Sequence, residues 1–107
     1  SNAVSVFQLA SALQLISKEK WFDDFYNSLP VAGVSGSLAG IGTGTAAEKN
    51  IHAKSGYITR ARGYAGFVKD KKGRLLCFAV LANNYTCTPT EMKKRLEKVM
   101  VAIAEID

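Results

Sequence analysis

The sequence predicts an α+β domain in which three antiparallel strands are flanked by N-terminal helices and a C-terminal helix. Three observations predict this class. Apolar residues recur at helical spacing near the N-terminus, aromatic and β-branched residues gather in three central runs, and a capped amphipathic stretch ends the chain. The 107 residues, 48% of them hydrophobic, suffice for one buried core. No apolar run reaches the ~18–20 residues of a membrane-spanning helix.

The N-terminal part is predicted to form two helices. The first covers residues 4–18, with Ser5 as its N-cap and an apolar stripe at helical spacing. The second covers residues 20–29, is rich in aromatic residues, and ends at Pro30, because proline cannot continue a helix. Residues 33–44 contain five glycines and are predicted to form a loop.

The middle of the chain is predicted to form three strands. The first covers residues 51–59 and the second residues 63–69. The third covers residues 74–82, and its continuous apolar run predicts a buried strand. An Asp-Lys-Lys-Gly turn at residues 70–73 joins the last two strands into a hairpin.

The last helix has a clear start signal. Thr88 is the predicted N-cap, Pro89 takes the first helical position and Glu91 completes a capping box. The apolar stripe expected to face the core consists of Met92, Leu96, Val99, Met100 and Ile103. The face expected to contact water carries Lys93, Lys94, Glu97 and Lys98.

The first three residues, Ser1-Asn2-Ala3, are typical of the scar that cleavage of an expression tag leaves. The natural sequence is therefore expected to cover residues 4–107 and to have been cut from a longer protein. For that reason a missing signal peptide carries no information about location.

The net charge of +5 permits contact with anionic partners but does not choose among them. Much of the positive charge lies in two clusters, Lys71-Lys72 and Lys93-Lys94-Arg95. One cluster is in a predicted turn and the other on the polar face of a helix, and no aromatic stacking platform accompanies them. Nucleic-acid binding is therefore not expected.

The sequence gives little support for a metal, phosphate or thiol site. Cys77, Cys87 and the single histidine, His52, cannot complete a four-ligand zinc site, so no metal or other cofactor is expected. His52 is expected to be a structural or surface residue. A Cys77–Cys87 bridge is left open, since the sequence does not define the geometry. The glycine-rich loop lacks the Gly-Lys-Ser/Thr ending of a phosphate-binding loop.

One segment of the first strand carries a recognisable chemistry. Lys54, Ser55 and Gly56 place an ammonium group, a hydroxyl and a bare backbone edge within about 7 Å along a strand. The lysine supplies a counter-charge, the serine donates a directed hydrogen bond, and the glycine lets another backbone approach closely. These features suit a peptide that ends in a carboxylate, and a free strand edge also suits pairing with an extended peptide.

Five short segments occur around this tripeptide in a characteristic order. They are Leu-Pro-Val-Ala-Gly at 29–33, Gly-Ser-Leu at 36–38, Ala-Lys-Ser-Gly at 53–56, Tyr-Ala-Gly-Phe-Val at 64–68 and Ala-Asn-Asn-Tyr at 82–85. In this order and spacing, the chain from Val4 onward resembles the C-terminal part of class C low-molecular-mass penicillin-binding proteins. These are D-Ala-D-Ala carboxypeptidase/endopeptidases of the bacterial cell envelope. The resemblance implies that the strands belong to a larger transpeptidase/β-lactamase-like fold.

The resemblance also implies a serine acyl-transfer enzyme and assigns roles to the first strand. Lys54 would place positive charge near the substrate carboxylate, Ser55 would donate a hydrogen bond to that carboxylate, and Gly56 would complete the Lys-Thr/Ser-Gly motif. The backbone N–H of Tyr57 would be one of two oxyanion-hole donors. The implied ligands of the full-length protein are peptidoglycan D-Ala-D-Ala peptides and β-lactams, and the implied location is the periplasm or the outer face of the cytoplasmic membrane.

Two motifs of a complete enzyme are not recognised in this chain. The one Ser-x-x-Lys string, Ser17 to Lys20, lies at the end of a helix and close to Lys54, whereas the family's nucleophile begins a buried helix far upstream. The second motif, Ser-x-Asn, is absent from residues 4–107. Both motifs are therefore expected upstream, and the chain alone is expected to be inactive.

Two further hypotheses accompany this interpretation. The chain would otherwise be a non-catalytic module that binds peptidoglycan peptides through the Lys54 edge, or an unrelated small basic interaction domain. The last would bind polyanions in a salt-sensitive manner and without dependence on Lys54. Self-association is also expected if the isolated sheet exposes an apolar edge or face.

Overall fold

The structure, a computed structural model, describes residues 5–58 and 61–107. The helices and strands follow the predicted order and confirm the α+β class: α1 (Val6–Ile16), α2 (Phe22–Ser28), a 3₁₀ turn (Gly36–Leu38), β1 (His52–Ile58), β2 (Ala61–Lys69), β3 (Leu75–Asn83) and α3 (Pro89–Ala104). The predicted limits at Val4 and Thr59 lie outside the described residues. No helix in the described ranges has the length and hydropathy to cross a membrane.

Local hydrogen bonds set the ends of α1. The Ser5 hydroxyl accepts from the N–H of Gln8 at 3.0 Å, and the Gln8 side chain accepts from the Ser5 N–H at 3.0 Å. This reciprocal pair confirms the Ser5 N-cap and forms a capping box that the sequence analysis did not predict. The helix ends at Ile16, two residues before the predicted end, and Ser17 is its C-cap.

The sheet is an antiparallel meander in the order β1-β2-β3. Tyr57 of β1 lies opposite Arg62 of β2, and Ser55 lies opposite Tyr64. The β2–β3 turn is closed by Asp70, whose carboxylate accepts from the Arg74 guanidinium at 2.7 Å and from two backbone N–H groups. Burial alone raises the pKa of Asp70, but these hydrogen bonds from Arg74 and Lys72 hold it below its usual range.

The two faces of the sheet are covered by different helices. Side chains alternate along each strand, so one face of β2 and β3 packs on α3 and the opposite face on α1 and α2. The α3 side forms the main core, whose larger members are Leu38, Ile41, Ile51, Tyr64, Val68, Phe78, Leu96 and Met100. On the other side, the buried ring of Phe67 contacts the rings of Phe22, Phe25 and Tyr26.

The glycine-rich loop contributes to this core. It is a loop as predicted, but Leu38 and Ile41 within it are buried against the sheet. These two apolar anchors fix the loop beside β1.

The prediction that the third strand is buried is wrong. Phe78 is buried, but Leu81 is 52% exposed, because β3 lies at an edge of this sheet and α1 covers only part of its outer face. Cys77 of β3 and Cys87 are both free thiols. Burial raises the pKa of the Cys77 thiol.

Three details of the predicted last helix also differ. Thr88 is the N-cap and accepts from the Glu91 N–H at 3.1 Å, but the Glu91 carboxylate pairs with Arg95 at 3.5 Å, which leaves the predicted capping box half formed. Val99, assigned to the apolar stripe, is 46% exposed. Two residues assigned to the water-facing side, Lys93 and Glu97, are half-buried, Lys93 where the first turn of α3 meets the sheet.

The single histidine has a structural environment, as expected. The His52 ring stacks on the Tyr26 ring with centroids 3.9 Å apart, and its Nδ1 lies 3.3 Å from the Tyr26 carbonyl oxygen. Burial lowers the pKa of His52, an effect that the contact with the Tyr26 carbonyl opposes and the charge of Lys69 reinforces.

A pH dependence of stability follows from the His52 environment. Because the folded pKa lies below the unfolded value of about 6.5, protons bind the unfolded chain more readily. The contribution of His52 to the free energy of unfolding is therefore fully present above about pH 6.5, and it decreases as the pH falls below that value. We expect the melting temperature to fall between pH 7.5 and pH 5.5, and we expect His52→Phe to remove that fall. An equal fall in both proteins would contradict the assignment.

Candidate functional site

The outer edge of β1 is covered over only part of its length. The Ala53 N–H donates to the Pro30 carbonyl at 3.0 Å, and the Ala32 N–H donates to the Ile51 carbonyl at 2.9 Å. Within the described ranges, no strand pairs with this edge beyond Ala53. Since backbone groups alternate in direction along a strand, the N–H groups of Ser55 and Tyr57 point outward as that of Ala53 does.

The side chains of the Lys-Ser-Gly motif divide between the two faces of β1. Lys54 lies opposite Ala65, and its exposed side chain is on the face that α1 and α2 cover elsewhere. Its Nζ donates to the Ser55 carbonyl oxygen at 3.3 Å, which holds the ammonium group beside the free edge. Ser55 and Tyr57 project from the α3 side.

The 3₁₀ turn positions a second hydroxyl at the motif. The Ser55 Oγ donates to the Ser37 Oγ at 2.9 Å. Ser37 follows Gly36, which has a φ of 57°, a left-handed conformation that favours glycine. The buried side chain of Leu38 anchors the turn on its other side.

A cavity of about 250 Å³ opens on the α3 side of the motif. Its lining consists of Ser37, Ser55, Gly56, Tyr57, Arg62, Tyr64 and Lys93. The Arg62 guanidinium carbon lies 5.0 Å from the centre of the Tyr57 ring, in a cation–π contact. Burial raises the pKa of Tyr64, while the neighbouring Arg62 charge acts in the opposite direction.

The cations of this cavity have no carboxylate partner. The ion pairs in the described part of the chain join Lys71 to Asp107, Arg74 to Asp70 and Arg95 to Glu91. Neither Arg62 nor Lys93 belongs to one of them. The nearby Glu97 carboxylate accepts a hydrogen bond from the Gly42 N–H at 2.7 Å and so binds the glycine-rich loop. The cavity lining therefore holds two cations and no carboxylate, and Glu97 is a neighbouring negative charge that acts on Tyr64.

The Ser-x-x-Lys string lies at a different place. Ser17 is the C-cap of α1, and its hydroxyl donates to the Gln14 carbonyl at 2.6 Å. The helix ends before Lys20, so the lysine is not one helical turn from the serine as a catalytic pair on a helix would be. Ser17 lines a separate groove between α1 and β3. In residues 5–58 and 61–107, no cluster of His, Cys, Asp and Glu is arranged to hold a metal ion.

The sequence predicts the site residues Lys54, Ser55, Gly56 and Tyr57 but not the residues that surround them. Arg62, Tyr64, Lys93 and Ser37 come from three other elements, and the strand register brings two of them to the motif. Their signal in the sequence is weak, because single arginine and lysine residues are common on surfaces.

Comparisons with known proteins specify the family to which this fold and edge strand belong. The sequence model of the D-Ala-D-Ala carboxypeptidase 3 (S13) family matches residues 1–106. The chain belongs to this family, which confirms the resemblance and removes the hypothesis of an unrelated basic interaction domain.

Two proteins with similar sequences are carboxypeptidases named DacB. The chain is 42% identical over 60 residues to carboxypeptidase DacB of Mycolicibacterium smegmatis, covering 52% of this chain and 13% of that protein. It is 28% identical over 96 residues to D-alanyl-D-alanine carboxypeptidase DacB of Haemophilus influenzae, covering 88% of this chain and 20% of that protein.

Solved structures share the fold. Penicillin binding protein 4 (dacB) from Haemophilus influenzae superposes with a TM-score of 0.78 at 26% identity, covering 97% of this chain and 25% of that one. The same protein complexed with a novel β-lactam gives a TM-score of 0.80 at 25% identity, covering 95% of this chain and 25% of that one. The three strands and their helices thus form part of a larger penicillin-binding-protein fold, as predicted. The chain spans between 13% and 25% of the length of these proteins.

Proposed function

We propose that residues 4–107 are a C-terminal segment of the penicillin-binding domain of a serine-type D-Ala-D-Ala carboxypeptidase/endopeptidase. The segment supplies the strand edge that receives the peptide. The observation that carries the proposal is the free edge of β1, where the N–H of Tyr57 points outward beside Lys54, Ser55 and Gly56. Membership of the carboxypeptidase family supports the same role.

The edge performs two tasks in this reaction. An extended peptide pairs with the outer edge of β1, since Gly56 lets its backbone approach closely. The Tyr57 N–H then donates to the carbonyl oxygen of the scissile amide, and this hydrogen bond strengthens as the oxygen becomes an oxyanion.

A serine outside this chain completes the chemistry. Its hydroxyl gives up a proton to a neighbouring base as its oxygen bonds to the carbonyl carbon. The C–N bond then breaks, and D-alanine leaves after its nitrogen takes up that proton. Water then attacks the acyl-enzyme and restores the serine. Lys54 keeps a positive charge at the edge, near the groups that exchange protons.

The proposed ligands are peptidoglycan peptides ending in D-Ala-D-Ala and β-lactams, and the proposed location is the periplasm or cell envelope. The support is the family and the relative from Haemophilus influenzae, whose structure was solved with a β-lactam. For the isolated chain we propose self-association through α1, where Phe7 is 79% exposed.

Intact mass after incubation with excess benzylpenicillin tests the assignment. The 107-residue chain is expected to take no adduct, and the longer protein that contains it is expected to take one, on a serine outside this segment. Native mass spectrometry of the same chain reports whether it self-associates, and a monomer at every concentration would contradict that part.

Ser17→Ala is the control for acylation of Ser17, the serine of the Ser-x-x-Lys string in this chain. An adduct on the chain that disappears in Ser17→Ala would make this segment an acylating enzyme by itself. A longer protein that takes no adduct at all would favour the non-catalytic peptide-binding module.

A further inference from the structure

We propose that Ser37 is a positioning residue that acts through Ser55: its hydroxyl fixes the direction in which the Ser55 hydroxyl presents its hydrogen to a ligand at the edge of β1. The inference rests on the proposed function, which makes that edge the place where the peptide is received. It adds a residue of the glycine-rich loop, which lies outside the Lys-Ser-Gly motif and 18 positions before Ser55 in the chain.

The contact joins two hydroxyl groups that come from different elements. The Ser55 Oγ donates to the Ser37 Oγ at 2.9 Å, within the usual range for a hydrogen bond between hydroxyls. Both side chains line the cavity on the α3 side of the motif. Ser37 is the hydrogen-bond partner that the described part of the chain gives to the Ser55 hydroxyl.

The 3₁₀ turn that carries Ser37 is fixed on both sides. The Gly33 N–H donates to the Leu38 carbonyl at 2.9 Å, and the side chain of Leu38 is fully buried. A Cβ at Gly36 would lie 3.0 Å from two side-chain atoms of Pro30, so the turn packs closely on the chain that precedes it. The Ser37 hydroxyl is therefore an acceptor at a defined position.

The same stretch of chain is tied to β1. The Ala53 N–H donates to the Pro30 carbonyl at 3.0 Å, two residues before Ser55 on the same strand edge. Backbone hydrogen bonds thus hold the loop against the strand, and they set the distance between the Ser37 and Ser55 hydroxyls.

A fixed partner matters because a serine hydroxyl has little direction of its own. Its χ1 angle has three staggered wells, and its hydrogen rotates to suit the surroundings. When a ligand accepts the Ser55 hydrogen, the Ser37 hydroxyl is free to turn and donate to the Ser55 Oγ. The two hydroxyls then form a chain that ends at the ligand, and hydrogen bonds in such a chain strengthen one another. Ser37 in this way holds Ser55 in one rotamer before and after the ligand binds.

A double-mutant cycle in the longer protein that contains this chain tests the role. The variants are Ser37→Ala, Ser55→Ala and the double variant, and the substrate is a peptide ending in D-Ala-D-Ala. We expect Ser37→Ala to lower kcat/KM about fivefold, the effect of one hydrogen bond, through a higher KM with kcat changed less than about twofold. In the Ser55→Ala background the same substitution should change kcat/KM by less than about twofold, since Ser37 then has no hydroxyl to orient.

Two further variants separate positioning from folding. Ser37→Thr keeps the hydroxyl, and we expect it to retain at least about half of the parental kcat/KM. Ser28→Ala is the matched control, because it removes a hydroxyl that donates to the Phe25 carbonyl at 2.6 Å and does not line the cavity. It should leave kcat/KM unchanged. Since Ser37 is exposed, every variant should melt close to the parent temperature.

The cycle distinguishes the outcomes. A loss of the same size in both backgrounds would show that Ser37 acts independently of Ser55, and it would overturn the positioning role while the proposed function stands. No loss in Ser37→Ala, or no recovery in Ser37→Thr, would overturn that role as well. If the unmodified longer protein neither hydrolyses the peptide nor takes a benzylpenicillin adduct, the proposed function fails, and the role of Ser37 fails with it.

Discussion

Tyr57→Pro is expected to lower the rate of acylation of the longer protein by benzylpenicillin about 10²–10³-fold, the usual cost of one oxyanion-hole donor. Proline removes the N–H of Tyr57 and nothing from the β1–β2 ladder, because that N–H points away from β2. Proline is tolerated on an edge strand at such positions. The measurement is the second-order acylation rate constant, followed by mass spectrometry.

Tyr57→Ala is the matched control, since it loses the ring but keeps the N–H. It should retain most of the acylation rate that Tyr57→Pro loses, and both variants should melt close to the parent temperature. If alanine and proline reduce the rate equally, the side chain and not the N–H is responsible, and the assignment of the oxyanion donor is wrong.

Gly66→Ala is expected to destabilise the fold by about 3 kcal/mol, near the upper end for overpacking. Gly66 of β2 lies opposite Ala53. A Cβ at Gly66 would meet the His52 carbonyl oxygen, and would lie 2.5 Å from the Ala53 Cα and 2.7 Å from its Cβ. Two of these three atoms belong to the backbone of β1, so relief requires β1 to move away from β2. Urea unfolding of the chain measures the change.

Gly40→Ala is the control for this prediction. Nothing lies within 4 Å of a Cβ at Gly40, so its free energy of unfolding should change by less than about 0.5 kcal/mol. A Gly66→Ala variant as stable as Gly40→Ala would show that β1 and β2 are not packed as described, and the alignment of Tyr57 with Arg62 would lose its basis.

The elements of this fold were predictable because their signals are local. Ser5 and Thr88 begin helices through hydrogen bonds to residues three positions away, and Asp70 closes a turn of four residues. The burial of β3 was not predictable from its apolar run. Whether Leu81 is covered depends on which strand occupies the sheet edge, and that is a property of the tertiary structure.

The candidate site likewise combines residues with a local sequence signal and residues that only the tertiary structure brings together. Lys54, Ser55 and Gly56 are consecutive and could be recognised as a motif, whereas Arg62 and Lys93 reach the cavity through register and helix packing. The second strand was predicted to begin at residue 63 but begins at Ala61. A two-residue difference in a hairpin changes which residue lies opposite Tyr57, so the contact with Arg62 was hidden.

A crystal structure of the longer protein acylated by benzylpenicillin would show directly whether the edge of β1 receives the acyl group. We expect an acyl-serine whose carbonyl oxygen lies about 2.7–3.1 Å from the Tyr57 nitrogen, with the acyl group along the outer edge of β1. If other donors bound the carbonyl oxygen and the Lys54-Ser55-Gly56 edge were unoccupied, the proposed role of this edge would be wrong.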